Sequence, residues 1–290
     1  MNQMPIESRE DASYWTTVIT PQNNLFHIPW KELWEYRELI FRFVHRDFVS
    51  RYKQTVLGSF WYVIQPLLTS LMFTIIFGKI AKIPTGSIPP MLFFLAGTVC
   101  WSYFNNCVAN TASTFNSNSG LFDKVYFPRL SVPLSQLVVN LIGFGMQLVM
   151  FLGFLAWFAW QGAPVRVDWR VIVLPVLILE MAAFGLGVGC IVSAVTTRFR
   201  DLQIMLGFFL QLWMYASCVI YPLAVVPPEY QWILALNPMV LVIEAFRYAF
   251  LGEGTVYLWQ IVVSFFISIV VVFIGLAMFN KTQRSCVDIL

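Results

Sequence analysis

The sequence predicts an all-α polytopic membrane protein with six transmembrane helices, and two observations lead to this class. Hydrophobic residues make up 59% of the 290 residues and charged residues only 11%, whereas a soluble domain carries about 25% charged residues. The charges are also clustered, and the segments between clusters hold the about 20 apolar residues that a helix needs to cross a membrane. No Asp, Glu, Lys or Arg occurs in residues 54–78, 83–122, 130–165, 202–228 and 254–280, and residues 171–197 carry only Glu180.

The predicted elements follow one another along the chain. A polar tail at residues 1–29 precedes an interfacial helix at residues 30–53, and a six-span domain covers residues 54–290. The tail has no apolar core of the signal-peptide type, so we expect the first span to remain in the mature protein. We place the spans at residues 59–80, 90–108, 132–160, 171–195, 204–226 and 257–279.

The basic residues predict the orientation in the membrane. Six spans put both termini on the same side, which we call the basic side because it then holds 13 of the 18 Lys and Arg residues. The positive-inside rule places this side in the cytoplasm. The net charge is only +3, so the basic residues indicate orientation and give no support for a nucleic-acid partner.

Residues 30–53 predict an amphipathic helix that lies in the cytoplasmic membrane interface. One face is apolar and aromatic, and another carries Glu35, Glu38, Arg42 and Arg46 at the same helical period. The helix either contacts a ligand or only anchors the chain. The apolar face is formed by Leu33, Tyr36, Ile40, Phe43, Val44 and Phe48.

The fourth span combines a glycine pattern with the one acid that lies deep in a span. Gly185 and Gly189 form a G-x-x-x-G pattern with Gly187 between them, and small residues one turn apart let helices approach closely in lipid. Glu180 is a functional candidate because ionisable groups in membranes are costly. It is equally a paired or neutral group that joins helices, and we favour this structural interpretation.

The segment between spans five and six predicts two short helices. Asn237 is a suitable N-cap before Pro238, and Gly252 stands where a C-terminal glycine belongs. A helix of about 14 residues is about 21 Å long, too short for a core of about 30 Å. We therefore expect a re-entrant hairpin on the outer, periplasmic side, in which Glu244 and Arg247 pair at i,i+3.

Several kinds of chemistry are missing from the sequence. There is no G-x-x-x-x-G-K-[ST] loop, no paired carboxylates and no Ser/His/Asp set. The five cysteines form no C-x-x-C pair, and the two histidines lack the other ligands of a metal site. One intramembrane acid is too few for an ion-coupled transporter. We expect no catalytic residue, metal or cofactor in this chain, and any transport would take its energy from another chain.

Five segments resemble permeases of polysaccharide-exporting ABC transporters, a family that includes O-antigen, capsule and teichoic-acid exporters. They are RDFVSRYKQTVLGSFW at residues 46–61, the entry to the first span; GLFDKVYFPR at 120–129, the coupling segment; FRDL at 199–202, the second cytoplasmic loop; Asn237-Pro238 with Arg247, the outer re-entrant region; and FNKTQRSCVDI at 279–289, a tail most similar to the O-antigen branch.

This resemblance implies the type-2 ABC exporter fold and a set of partners. The family's permease dimerises, and two copies of a separate ATPase bind its cytoplasmic loops. ATP and Mg²⁺ are bound by that ATPase. Its substrate is a glycan on undecaprenyl diphosphate. The implied coupling loop is Gly120, Leu121, Phe122, Asp123, Lys124, Val125, Tyr126, Phe127, Pro128 and Arg129, and the implied second loop contains Arg198, Arg200 and Asp201. The first of these loops is otherwise an ordinary connector with positive-inside charge.

Two further residue sets are candidates for contact with such a substrate. Arg42, Arg46, Arg51 and Lys53 suit a diphosphate, although basic residues here also obey the positive-inside rule or bind anionic membrane lipids. Aromatic residues make up 17% of the chain, and amphipathic rings can line a path for sugars. The candidates on spans one and five are Trp61, Tyr62, Trp213, Tyr215 and Tyr221; rings that face lipid or pack inside the protein are the alternative.

The sequence thus predicts the transmembrane subunit of an ATP-driven exporter of lipid-linked polysaccharide, O-antigen first, in the bacterial inner membrane. Capsule or teichoic-acid export differs only in substrate, and a drug or small-lipid exporter would not need the basic helix. A membrane-embedded glycan-synthesis enzyme would need an interfacial acid or base, for which only Asp47 or Glu180 can be nominated. A purely structural scaffold is the remaining alternative.

Overall fold

The computed structural model describes residues 30–53, 57–122, 127–165, 169–199, 201–254, 256 and 258–288. Every regular element in these residues is helical, so the predicted all-α class is confirmed for them. The α-helices are α1 (Trp30–Glu35), α2 (Arg37–Tyr52), α3 (Trp61–Phe73), α4 (Pro90–Ala112), α5 (Thr114–Phe122), α6 (Ser131–Trp160), α7 (Leu174–Thr196), α8 (Asp201–Tyr215), α9 (Pro228–Ala235), α10 (Pro238–Leu251) and α11 (Leu258–Asp288). The predicted tail at residues 1–29 lies outside the described residues.

In the described part of the chain, five helical stretches are long and apolar enough to cross a membrane, and they match five of the six predicted spans. Short 3₁₀ or π segments extend two of them, so that α3 continues as a π helix from Thr74 to Ile80 and a 3₁₀ turn precedes α7. The chain is therefore a multi-pass membrane protein. The stretches are Gly58–Ile80, Pro90–Ala112, Ser131–Trp160, Trp169–Thr196 and Trp259–Gln283.

The predicted fifth span was wrong in its extent. We expected it to reach residue 226, but α8 ends at Tyr215 and residues 216–222 are not helical. At 15 residues, α8 is about 22 Å long and does not by itself cross a core of about 30 Å. The apolar sequence continues beyond Tyr215, but the backbone there is not helical. The carbonyls of Cys218 and Val219 accept hydrogen bonds from the Arg247 side chain. A tertiary contact thus holds the non-helical segment that follows α8.

The two short helices predicted after this segment are present. Helices α9 and α10 are bent by 102° relative to each other, and together they are long and apolar enough to pass for a broken span. The Asn237 side chain accepts a hydrogen bond from the Met239 backbone N–H at 3.2 Å, as an N-cap does. Gly252 ends α10 in the left-handed conformation, with φ of 77°. Their arrangement as a re-entrant hairpin stays a prediction.

Helix α4 is the central element of the bundle. All its residues from 92 to 101 are buried, and it packs against α3, α6, α7 and α10. Aromatic side chains fill the space around it, with Phe104 stacked on Phe184 of α7 at 5.3 Å between ring centroids. By contrast, the buried residues of α3 are Tyr62, Pro66 and Ser70, and those of α8 are Leu210 and Met214.

The glycines of α7 permit two close helix contacts, as the sequence pattern predicted. A Cβ on Gly185 or Gly189 would lie within 2.8 Å of side chains on α4. A Cβ on Gly187, on another face, would lie 2.8 Å from the backbone of α11. Gly275 of α11 faces Gly187, and a Cβ there would press directly on the Gly187 carbonyl. Both helix contacts therefore depend on the missing side chains.

The predicted N-terminal helix consists of two helices, because Tyr36 separates α1 from α2. Leu33, Phe43 and Val44 of the predicted apolar face are buried, and α2 packs on α6. Phe43 contacts the edge of Phe127, with 5.6 Å between ring centroids. Much of the face that we expected in the membrane interface thus covers protein, while Trp30 and Trp34 remain about 70% exposed.

Candidate functional site

The guanidinium of Arg51 joins three helices at the end of α2. Its Nη1 donates to the Tyr62 hydroxyl of α3 at 3.1 Å and to the Asn140 Oδ1 of α6 at 3.4 Å. Its Nη2 donates to the Gln136 Oε1, also on α6, at 3.1 Å. Tyr62 and Asn140 are buried, so the charge of Arg51 is brought into contact with a largely covered polar surface.

Hydrogen bonds extend this arrangement on both sides. The Asn110 Nδ2 of α4 donates to the same Asn140 Oδ1 that Arg51 contacts, at 2.9 Å. On the other side, Gln136 Nε2 donates to Asp47 Oδ2 at 2.5 Å, and Asp47 Oδ1 pairs with Arg46 Nε at 2.7 Å. We call Arg51, Tyr62, Asn110, Gln136 and Asn140 the Arg51 node; it connects α2, α3, α4 and α6.

The four predicted diphosphate contacts differ in their surroundings. The Arg51 guanidinium is committed to the node, whereas the side chains of Arg42 and Lys53 are exposed. The Arg46 side chain is 47% exposed and lies over the Phe43 ring at 4.8 Å from its centroid. Asp47 was nominated above as an enzymatic acid. Its Oδ1 pairs with Arg46 and its Oδ2 accepts a hydrogen bond from Gln136, so both carboxylate oxygens already have a partner.

The predicted coupling loop is described at its two ends. Gly120, Leu121 and Phe122 finish α5, and Phe127, Pro128 and Arg129 precede α6. Asp123, Lys124, Val125 and Tyr126 lie outside the described residues.

Contacts tie both ends of this loop to other helices. In α5, the Asn116 Nδ2 donates to the Gln203 Oε1 of α8 at 2.5 Å. At the other end, Arg129 Nη1 donates to the Gln283 carbonyl of α11 at 3.0 Å, and Phe127 packs on α2. The two ends of the loop therefore rest on three different helices.

The second predicted loop is short and open to solvent. Arg198 is exposed and its guanidinium lies 5.6 Å from the Phe199 ring centroid. Asp201 begins α8 and accepts from the Leu202 backbone N–H at 3.0 Å. Arg200 lies outside the described residues.

The five predicted channel aromatics fall into two groups. Trp61 on α3 and Tyr215 on α8 are 46% and 41% exposed. Tyr62 is held in the Arg51 node, Trp213 packs edge-on against Phe104, and Tyr221 is half-buried in the segment after α8. Of these five, the first two are the exposed ones on a single chain. The residue types alone do not indicate this division.

The predicted Glu244–Arg247 contact exists and has further partners. Arg247 Nη1 lies 3.5 Å from Glu244 Oε1, and both side chains are buried. Arg247 also donates to the Cys218 and Val219 carbonyls at 2.8 and 2.7 Å, and Glu244 Oε1 accepts from the Leu223 backbone N–H at 3.0 Å. The pair thus holds the non-helical segment after α8 against α10.

Glu180 has a structural contact inside the bundle. Its carboxylate accepts a hydrogen bond from the Ser264 hydroxyl of α11, and both residues are at most 3% exposed. Gln260 and Ser268, one turn to either side of Ser264, are buried as well. These contacts fit the interpretation of Glu180 as a group that joins helices.

The amides of the Arg51 node were not among the residues predicted from the sequence. Gln136, Asn140 and Gln147 lie four and seven residues apart on α6 and therefore share one face; Gln147 Nε2 donates to the Ser102 hydroxyl of α4 at 3.2 Å. A search for charged residues overlooks them because amides are uncharged. A search for polar side chains at helical spacing within an apolar span would have found them.

The fold and this site define a polytopic helical membrane protein in which the N-terminal helix α2 and the loop before α6 are tied to the spans by side-chain hydrogen bonds. A family model described as ABC-2 type transporter matches residues 38–251. The chain belongs to this family, which confirms the resemblance stated above and makes the chain a membrane transport subunit rather than an enzyme.

Similar proteins are also known by name. The chain is 32% identical to the O-antigen export system permease protein RfbA of Myxococcus xanthus over 76% of this chain and 83% of that protein. It is 27% identical to the O-antigen export system permease protein RfbA of Klebsiella pneumoniae over 87% of this chain and 95% of that protein. It is 24% identical to the polysialic acid transport protein KpsM of Escherichia coli over 83% and 92% of the two chains.

Proposed function

We propose that this chain is the membrane-spanning subunit of an ATP-driven exporter of undecaprenyl-diphosphate-linked polysaccharide, O-antigen first, in the bacterial inner membrane. The observation that carries this proposal is the similarity, over most of both chains, to proteins named O-antigen export permeases. The polysialic acid transport protein, a relative at lower identity, supports capsule export as the second candidate. Both candidates assign the chain the same role and differ in the glycan.

A separate ATPase supplies the energy in this proposal. Two copies bind a dimer of this chain at the loops around α5 and around Asp201, on the basic side, which faces the cytoplasm and holds both termini. The contacts of Asn116 on α5 with α8, and of Arg129 at the other end of the loop with α11, support this role, because a force on the loop would be passed to both helices. ATP and Mg²⁺ belong to the ATPase.

The glycan path lies between two copies of this chain. Its proposed walls are α3 and α8, whose exposed residues include Trp61, Leu68, Phe208 and Tyr215. Surfaces as apolar as these are covered by lipid or by another protein. Aromatic rings with a polar group can line a path for sugars. Trp61 and Tyr215 are the proposed channel-lining residues, while Tyr62 and Trp213 stabilise the helices that carry them.

The diphosphate meets the basic helix on the cytoplasmic side. Arg42, Arg46 and Lys53 have exposed or half-exposed charged groups, and arginine forks and lysine point charges both bind phosphate. Arg51 contributes to this site through the position of α2, because its donors already contact three side chains.

Depletion of this chain in its host cells tests the proposal. Lipid-linked glycan would be labelled and assigned to one leaflet, and the surface polysaccharide would be measured and identified. The proposal predicts that finished lipid-linked glycan accumulates on the cytoplasmic leaflet while the surface glycan is lost, and restoration of the wild-type chain reverses both. Unfinished or absent glycan lipid would contradict it, since the chain would then act in synthesis.

A further inference from the structure

The Arg51 node links helices whose movements the proposed transport cycle must coordinate. Helix α4 ends at Ala112 and α5 begins at Thr114, so Asn110 lies within one turn of the proposed coupling helix. Tyr62 lies in the first turn of α3, which is the proposed channel wall. The side chains of Asn140 and Arg51 connect Asn110 to Tyr62.

One atom receives both ends of this connection. Asn140 Oδ1 accepts from Asn110 Nδ2 at 2.9 Å and from Arg51 Nη1 at 3.4 Å. A shift of α4 toward or away from α6 therefore changes the contact of Arg51 with its acceptor. Because the same Nη1 donates to Tyr62, a change at Asn140 alters the restraint on the first turn of α3.

Gly143 is a second, independent feature of this contact. A Cβ at Gly143 would lie 2.6 Å from Cε1 and 3.0 Å from Cζ of Tyr62. The ring thus rests directly on the α6 backbone, and any side chain at position 143 would displace it. Gly145, two residues further along α6, has no neighbouring atom within 4 Å of such a Cβ, so it provides a matched control.

We propose that Arg51 is a positioning residue that couples α5 to the channel helix α3 through Asn110, Asn140 and Tyr62. This inference rests on the proposed function and adds to it the route by which the ATPase moves the channel wall. Arg51 holds α3 against α6 while Asn110 bonds to Asn140, and a displacement of α4 together with α5 releases that restraint. Lysine cannot replace it, because a single ammonium group lacks the fork that reaches three acceptors on two helices.

The test compares Arg51→Lys, Tyr62→Phe and Gly143→Ala with Gly145→Ala in the native host. Each variant would be purified with its bound ATPase through a tag on this chain, and ATP hydrolysis would be measured beside surface glycan. Arg51→Lys, Tyr62→Phe and Gly143→Ala each disturb the hydrogen bonds of the Arg51 node. Each is expected to lower export about tenfold, which corresponds to the loss of one charge-assisted hydrogen bond. ATP hydrolysis and recovery of the complex are expected to remain near the wild-type values in all variants, and Gly145→Ala is expected to export normally.

Three results would overturn the inference. Normal export by Arg51→Lys and Gly143→Ala would show that the node transmits nothing. Export and ATP hydrolysis that fall together would indicate a structural role in assembly rather than coupling. If Arg51→Lys fails to accumulate, Tyr62→Phe, which removes one hydroxyl, decides: normal export by that variant also contradicts the route. A wild-type complex that exports no glycan would instead refute the proposed function itself.

Discussion

The guanidinium carbon of Arg247 lies 3.6 Å from the centroid of the Phe93 ring. This contact sits next to Gly97 of α4, where a Cβ would lie 2.8 Å from the Arg247 Nη2. The buried cation is therefore enclosed by an aromatic face, the Glu244 carboxylate and two backbone carbonyls. The ion pair, the cation–π contact and the hydrogen bonds together hold the non-helical segment that follows α8.

Replacement of Arg247 by Met is expected to destabilise the protein strongly. The change leaves the Glu244 carboxylate buried without its cation and two carbonyls without a donor, and such losses cost about 3–5 kcal/mol. The double variant Arg247→Met with Glu244→Gln should be more stable than Arg247→Met alone, because Gln is uncharged and still accepts from the Leu223 N–H. Thermal unfolding of the purified protein in detergent measures both.

The control for this prediction is the exposed Arg198, where Met should change stability by no more than about 0.5 kcal/mol. An Arg247→Met variant that unfolds at the wild-type temperature would mean that the buried pair does not hold this segment.

An alanine at Gly275 is expected to separate α7 from α11. Its Cβ would press on the Gly187 carbonyl, and overpacking of this kind costs about 1–3 kcal/mol. Gly153→Ala is the comparison, since a Cβ there meets no atom within 4 Å and alanine favours a helix by up to about 1 kcal/mol. Unfolding curves of the two variants should shift in opposite directions; equal shifts would contradict the close crossing.

Glu180→Gln is expected to leave both folding and export intact. Glutamine retains an oxygen that accepts from the Ser264 hydroxyl, while Glu180→Leu would leave that hydroxyl buried without a partner and cost about 1–3 kcal/mol. Surface glycan and detergent stability would be measured for both variants. A folded Glu180→Gln protein that no longer exports would instead assign the carboxylate a role in moving ions or substrate.

Alanine at Trp61 or Tyr215 is expected to reduce export without loss of the protein. The two side chains are 46% and 41% exposed on a single chain, so their truncation costs less stability than that of a buried ring. The loss of ring contacts with a sugar corresponds to about three- to tenfold in rate. Trp157 on α6 is 53% exposed and serves as the control. If Trp157→Ala lowers surface glycan as much as Trp61→Ala, then α3 has no special part in the path.

Trp213→Ala should behave differently from those two variants. Its partly buried ring packs against Phe104 and Phe184, so its truncation costs stability, up to the about 3–5 kcal/mol of a fully buried tryptophan. The expected result is a lower unfolding temperature and less protein in the membrane. Normal abundance with reduced export would place Trp213 in the path instead.

Long apolar segments and end signals predicted much of the fold. The helices around Gly187, the N-cap at Asn237 and the C-terminal Gly252 follow from helical spacing and local backbone chemistry, which the sequence contains directly. The end of α8 does not, because Tyr215 is followed by more apolar residues and the carbonyls beyond it find their donor on Arg247, 28 residues from Val219. Sequence periodicity carries no information on such a distant donor.

The candidate site was predictable in residue type and not in arrangement. Arg51 belongs to a basic helix, and nothing in that helix indicates that its partners are Tyr62 and two amides 85 and 89 residues away. The division of the aromatics is similar, since Tyr62 and Trp61 are neighbours in sequence while one is buried and the other exposed. Rotation of a helix against its neighbours decides these roles.

The most direct test of the central claim is ATP-dependent movement of labelled, undecaprenyl-diphosphate-linked glycan by the complex of this chain with its copurifying ATPase. The complex would be reconstituted into liposomes with the ATPase outward, and the label would be added to the outer leaflet. We predict that the glycan becomes protected inside the liposomes only with ATP and Mg²⁺. Protection without ATP, or none with ATP although the complex hydrolyses it, would contradict the account.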